Sequence, residues 1–289
     1  MNFLKLLFLP ITAPIKFINR YFKTVLFLTL LVYLANNTDS QSLEKANLQI
    51  IELNGPIMLV EDILEKIQMA KNNNDIKGVL LKVNSPGGAV APSVELAYAI
   101  KELNEVKPVV AYASGVMASG SYYASIWASK IVANPGSMIG SIGVIMQSVD
   151  ASELMAKIGV KTQTVKIGSY KEAGTPTRQW TKTEKDELNK VIKSTYDMFI
   201  TDVSNARKLK KEQHKLYADA HIFTSVQAKE VGLVDYVAPV SKAKQLVINL
   251  SGISNPVWSK EDKMEKFMQK IINGTVANIS SNLNGLVAY

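Results

Sequence analysis

The chain has 289 residues, a formal net charge of +8 at pH 7, 47% apolar and 20% charged residues, and no cysteine. That length and apolar content describe one sizeable folded domain with an appendage and exclude a disordered chain. The missing cysteines exclude a disulfide framework and a thiolate zinc site.

Lys5, Lys16, Arg20 and Lys23 supply half of the excess charge and stand in residues 1–36 without a single acid. They flank the apolar run Thr24 to Ala35. A basic leader before such a run points to membrane orientation, with the N-terminus in the cytoplasm and the main domain outside. It argues against nucleic acid, because no compact basic–aromatic module follows. The twelve residues of the run fall short of the roughly 20 that span a bilayer. Extension back to Phe17 makes a span if Arg20 and Lys23 snorkel. Tyr33 and Ala35 make a poor signal-peptidase site, so an uncleaved signal anchor is expected over residues 1–35.

Asn36 to Ala46 is polar and reads as a tether. Strand and helix then alternate. Leu48 to Leu53 reads as a strand closed by Asn54-Gly55-Pro56, and Val60 to Ala70 as a helix with Ile63, Leu64, Ile67 and Ala70 on one face. Gly78 to Val83 is a buried strand ending in Asn84-Ser85-Pro86-Gly87-Gly88, and Ser93 to Leu103 is a helix. A strand from Val109 breaks at Ser114-Gly115, and small residues lead through Ser119 into a helix with Tyr122, Tyr123 and Ile126. Ile131 to Ala133 is a strand stopped by Asn134-Pro135-Gly136. Met138 to Met146 forms a loop and strand region, Glu153 to Ile158 a short helix, and Thr162 to Ile167 a strand. Thr181 and Glu184 form a capping box opening a long helix through Val203. Ser225 to Val231 is a helix stopped by Gly232, Leu233 to Val237 closes the sheet or an edge of it, and another short helix follows Pro239. The alternation predicts an α/β fold with a mainly parallel sheet and covering helices. In the tail, Lys263, Lys266 and Lys270 alternate with Met264, Phe267, Met268 and Ile271, a basic amphipathic pattern.

Three sites carry possible chemistry. A serine at the strand-to-helix turn, Ser119, can be exposed beside free backbone N–H groups, although small residues there also suit close backbone packing. Ser85-Pro86-Gly87-Gly88 lets backbone approach a ligand without a Cβ and offers N–H groups to an oxyanion, or it is an ordinary turn before a helix. It lacks the Gly-Lys-Ser/Thr ending of a phosphate loop. Lys171 lies in a loop where lysines are normally solvated. The chain has only two histidines, His214 in a run of Lys and Glu and His221 with nothing tying it to Ser119. A Ser–Lys dyad is a known alternative to a histidine base, and its lysine must fall from roughly pKa 10.4 toward 7–8 to act at neutral pH.

Val83-Asn84-Ser85-Pro86-Gly87-Gly88, Met117-Ala118-Ser119-Gly120-Ser121-Tyr122-Tyr123, Gly140-Ser141-Ile142-Gly143-Val144, Lys171, Tyr217 to Phe223 and Ala228-x-x-x-Gly232-Leu233-Val234-Asp235 stand in the order and spacing of the S49 serine peptidases. The chain resembles the short, single-repeat, signal peptide peptidase A form of that family over about Leu48 to Val240. The resemblance implies a ClpP/crotonase-like fold and a Ser–Lys mechanism without metal or organic cofactor. It makes Ser119 the nucleophile and Lys171 the general base, with Ser141 holding the lysine amine. The backbone N–H groups of Gly88 and Gly120 would form the oxyanion hole, and the Tyr122–Tyr123 pair would pack beneath the nucleophile. Two departures stand out. Ser121 replaces a second glycine, and Asp219-Ala220-His221 replaces Asp-Gly-Arg.

The resemblance further implies a ring-shaped homo-oligomer with the dyad shared between protomers, and apolar peptide substrates such as signal peptides left after secretion. The expected setting is the bacterial cytoplasmic membrane, crossed once, with the catalytic domain on the extracytoplasmic side. The expected organisation is a leader and anchor over 1–35, a tether over 36–46, a peptidase domain over 47–240, and a helix and tail over 241–289. Two other readings remain open at this point, a crotonase-like acyl-CoA-processing enzyme and a catalytically inactive membrane scaffold.

Overall fold

A computed structural model of the chain describes residues 20–36 and 45–259. The leader up to residue 19, most of the tether and the amphipathic tail pattern lie outside the described residues. Helix α1 (Phe22–Asn36) forms in a unit separate from the one that begins at Ala46. Its 15 residues rise about 22 Å against a hydrocarbon thickness of about 30 Å. Among the described residues, no helix is long and apolar enough to cross a membrane. The expected span from Phe17 is therefore not formed within the described residues, and its first residues lie outside them.

The second unit is built on a seven-stranded sheet. In chain order its strands are β1 (Leu48–Asn54), β2 (Gly78–Ser85), β3 (Val109–Ala118), β4 (Lys130–Ala133), β5 (Met138–Gly140), β6 (Ile222–Thr224) and β7 (Tyr236–Val237). The main path runs β1-β2-β3-β4-β7, all parallel, while β5 branches from β3 and carries β6 antiparallel to it. The predicted α/β architecture is thus present. Parallel strands need helical crossovers, which is what α2 (Glu61–Asn72) and α3 (Val90–Val106) supply. Val79, Leu80, Leu81 and Val83 are buried on both faces of the sheet, so β2 reads as a continuous apolar run.

One face of the sheet packs under α2, α3, the short α4 (Gly120–Ser125) and the long α6 (Lys182–Arg207), with Leu96, Ile100, Tyr122, Phe199 and Val203 in the shared core. The other face is covered by α8 (Val240–Ser251), whose Ala243 and Val247 pack with Leu48, Leu80, Val110 and Val132. Beyond α8 the chain returns to β1, where Ser259 N–H donates to Leu48 O at 2.7 Å. Residues 241–259 therefore share the core of the domain.

Two elements differ from expectation. β3 does not end at Ser114-Gly115 but bends there and changes partner: Val110–Ala113 pair with β4, and Val116–Ala118 pair with β5. Asn84 makes the bend possible by accepting the Val116 N–H at 3.0 Å, and a Cβ on Gly115 would lie 2.5 Å from its Oδ1. The expected strand at Thr162–Ile167 does not form. A strand needs a neighbour for its ladder, and this stretch meets none among the described residues: Val165 and Ile167 are 102% and 96% exposed. From Gly143 to Thr183 not one residue is buried, and the only helix there is α5 (Ser152–Lys157). The capping box is as predicted, with Thr181 accepting from Glu184 N–H and Glu184 from Thr181 N–H.

Candidate active site

The partner switch of β3 delivers Ser119. As β3 leaves β4 for β5, its last residues run alongside Met138–Gly140, and Ser119 N–H donates to Gly140 O at 2.8 Å. Ser119 then turns the chain into α4 with φ 53° and ψ −126°. That conformation strains a residue bearing a Cβ, at a cost of order 1–3 kcal/mol, and such strain collects where a side chain must be aimed. Tyr123 N–H closes the first turn on Ser119 O at 3.0 Å. The Ser119 hydroxyl has no hydrogen-bond partner among the described residues.

Beside it lie two unpaired amides. Gly120 is the first residue of α4, so its N–H has no intrahelical acceptor. Gly88 is bracketed by Ile57, which donates to Gly87 O at 2.9 Å and accepts from Ala89 N–H at 2.8 Å. Alternation along the backbone turns the Gly88 N–H the other way, toward α4. A Cβ on Gly120 would stand 3.4 Å from Gly88 N and 2.1 Å from Ser93 Oγ, and one on Gly88 would stand 2.0 Å from Ile57 O. Gly88 therefore requires glycine, since backbone blocks a Cβ there, whereas a Cβ on Gly120 would have to displace the Ser93 side chain. Among the described residues neither N–H meets an acceptor.

Ser121, the departure from the expected glycine, is fully buried and fastens this turn. Its hydroxyl donates to Ser85 O at 2.6 Å and accepts the Ala118 N–H at 2.9 Å, linking the Ser119 turn to the strand end before Gly87-Gly88. Tyr122 and Tyr123 take different parts. Tyr122 is wholly buried with its hydroxyl on Leu233 O at 2.9 Å, and burial raises its pKa. Tyr123 stacks on Phe199 with ring centroids 4.6 Å apart and donates to Asp202. Burial first, then that carboxylate, holds its phenol protonated.

Ser119, Gly88, Gly120 and Tyr123 line one cavity of about 90 Å³, whose apolar wall is Val90, Met198 and Phe199. Ser141 follows Gly140 directly, with φ 49° and its N–H on His221 O at 2.7 Å. That places it at the end of β5 next to the Ser119 turn. His221 contributes backbone here, and its ring faces Phe223. Lys171 is elsewhere. It is exposed and lines a separate surface cavity with Thr162, Glu172 and Thr175, so one chain does not bring it to Ser119. Ile57 and Ser93 complete the site without a sequence signal of their own, because nothing in their local pattern marks a long-range contact. Among the described residues no cluster of side chains could hold a metal ion.

The fold is α/β, and its cavity brings a serine on a strained strand-to-helix turn beside Gly88 and Gly120, an arrangement to be expected of an enzyme site. The chain belongs to Peptidase family S49, which it matches over residues 101–254. It is 43% identical over 186 residues to a putative protease of Methanocaldococcus jannaschii, covering 64% of this chain and 60% of that protein. It is 34% identical over 181 residues to a putative signal peptide peptidase of Enterococcus faecium, covering 61% and 52%. The chain thus spans between half and two thirds of the length of these curated relatives. A solved ClpP1 variant from Listeria monocytogenes aligns with a TM-score of 0.47 at 17% identity, covering 67% of this chain and 93% of that one.

Proposed function

We propose that the protein is a membrane-anchored serine endopeptidase that hydrolyses apolar peptides with a Ser–Lys dyad. The observation that carries this reading is the left-handed Ser119 beside the free amides of Gly88 and Gly120. A neutral Lys171 amine takes the Ser119 Oγ proton as the oxygen attacks the scissile carbonyl. The oxyanion is held by the two N–H groups, and the lysine returns the proton to the leaving amine. Water then repeats the sequence in reverse and frees Ser119. Ser141, at the end of β5, holds the amine in line.

The base comes from a neighbouring copy. Support for this lies in the separate cavities of Ser119 and Lys171 and in the bare apolar side chains of the arm that carries the lysine. Head-to-tail contacts of that kind close into rings. Anchoring is supported by the apolar stretch behind Arg20 and Lys23, and the arrangement of charge favours a peptidase domain outside the cytoplasm. The apolar wall of the cavity suits signal peptide remnants as substrates.

Cleavage of an apolar peptide by the detergent-solubilised full chain tests the proposal. Ser119→Ala and Lys171→Ala should each lower kcat on the order of 10³-fold or more. Full activity in Lys171→Ala overturns the dyad.

A further inference from the structure

The arm that carries Lys171 has a stability problem. From Gly143 to Thr183 it buries no side chain, so hydrophobic packing within the chain cannot fix the lysine's position. The first buried residue after it is a carboxylate, Glu184, at 3% exposure on the first turn of α6. A buried charge persists only if it is paired and hydrogen-bonded, and Arg178 is its partner. The guanidinium sets a fork on both oxygens, Nη1 on Oε2 at 2.9 Å and Nη2 on Oε1 at 2.7 Å. Nη2 also reaches Glu172 Oε2 at 3.1 Å, and Lys166 Nζ bonds the same Glu172 oxygen.

Glu172 is the residue next to Lys171. Around it the loop is folded by short backbone bonds, Lys171 N–H to Gly168 O at 3.3 Å and Thr175 N–H to Glu172 O at 3.0 Å. Trp180 Nε1 closes the loop on Thr175 O at 2.8 Å. The long helix α6 is anchored in the core through Phe199, Ile200 and Val203. One guanidinium therefore joins the lysine loop to a rigid element.

We propose that Arg178 is a positioning residue for Lys171, tying Glu172 to Glu184 so that the loop offers its amine at a fixed place. This rests on the reading of Lys171 as the base. A lysine at 178 would keep the charge but lose the two-pronged geometry that holds both carboxylates at once. Misplacing a reacting group by about 1 Å costs on the order of 100-fold in rate.

The test is steady-state cleavage of an apolar peptide by full-length protein carrying Arg178→Lys, Arg178→Ala, Glu172→Gln or Lys171→Ala. Arg178→Lys should lower kcat on the order of 10- to 100-fold with KM unchanged. Glu172→Gln should do the same, and the double variant should lose no more than either alone, as members of one chain of contacts do. Millimolar guanidinium should restore kcat to Arg178→Ala and leave Lys171→Ala inactive. A kcat for Arg178→Lys within twofold of the unaltered protein, with Lys171→Ala inactive, overturns the inference and leaves the dyad standing. An active Lys171→Ala instead removes the dyad itself. Should the Arg178 variants fail to fold, hydrogen exchange on the unaltered protein decides: amides of 168–175 should lose protection in molar salt while those of β2 do not, and equal protection overturns the inference.

Discussion

Ser121 shows how one substituted residue can be read two ways. Against a family pattern of glycine, the sequence presents it as a restriction on the turn. In the fold its hydroxyl satisfies two buried backbone groups, the Ala118 N–H and the Ser85 carbonyl. Ser121→Ala should therefore destabilise the protein by about 1–3 kcal/mol, the cost of leaving such groups unpaired, measurable as a lower denaturant midpoint at constant m-value. An unchanged midpoint would mean that water replaces the hydroxyl. Gly88 makes the complementary case. Gly88→Ala drives a methyl to 2.0 Å from Ile57 O, displacing the amide proposed for the oxyanion. The expected loss is on the order of 10²–10³ in kcat, and a variant of near-normal activity would count against that amide. Ser119 and the Gly87-Gly88 turn carry a local signature of small residues at strand ends, whereas Gly120 enters only through the family resemblance. Ile57, which makes Gly88 obligatory, carries no such signature, since its role exists only after two distant segments pair.

At the scale of elements, periodicity located the buried strands and the long helix, and the Thr181–Glu184 capping box appears as expected. It failed where an element's state depends on a partner. β3 was cut short because Ser114-Gly115 looks like a stop, whereas a side chain of the neighbouring strand, Asn84, carries the chain across the bend. Thr162–Ile167 has the apolar alternation of a strand and, among the described residues, no strand to join.

The polar clamp at the start of α6 has an acid limit. Lys166 and then Arg178 hold Glu172 at about 2, and Arg178 with the Thr181 N–H holds Glu184 at about 2, both below the ordinary 4.5. Depressed carboxylates contribute stability that is complete above about pH 4.5 and lost as pH falls toward 2. Hydrogen exchange corrected for intrinsic rates should show residues 168–178 losing protection across that window before β2 and β3 do. Loss in step with the core would contradict a separate clamp. A different strain sits at Asp219-Ala220, both left-handed at φ 59° and 57°. Ala220→Gly should raise stability by up to about 1 kcal/mol, because glycine holds that conformation without a Cβ clash.

On the scale of the whole molecule, one domain carries a nearly complete site and a long arm with its apolar side chains in water. Ser119, the Gly88 and Gly120 amides and the cavity they line are brought together by the sheet, whereas Lys171 faces a different cavity. Sequence could name both halves of the proposed dyad, Ser119 from its strand-to-helix turn and Lys171 from the scarcity of histidine and the family resemblance. It could not say that a single chain holds them apart, since that follows from where the arm leaves β5. The arm's bare side chains, Val165 and Ile167 among them, are the surface on which the proposed neighbouring copy would sit.

Equimolar mixing of full-length Ser119→Ala and Lys171→Ala proteins, each inactive alone, tests this account most directly. If the hydroxyl and the amine come from different copies, mixed assemblies should recover about a quarter of the unaltered activity, the share of contacts that join an intact serine to an intact lysine. No recovery, in assemblies shown by mass to contain both variants, would contradict it.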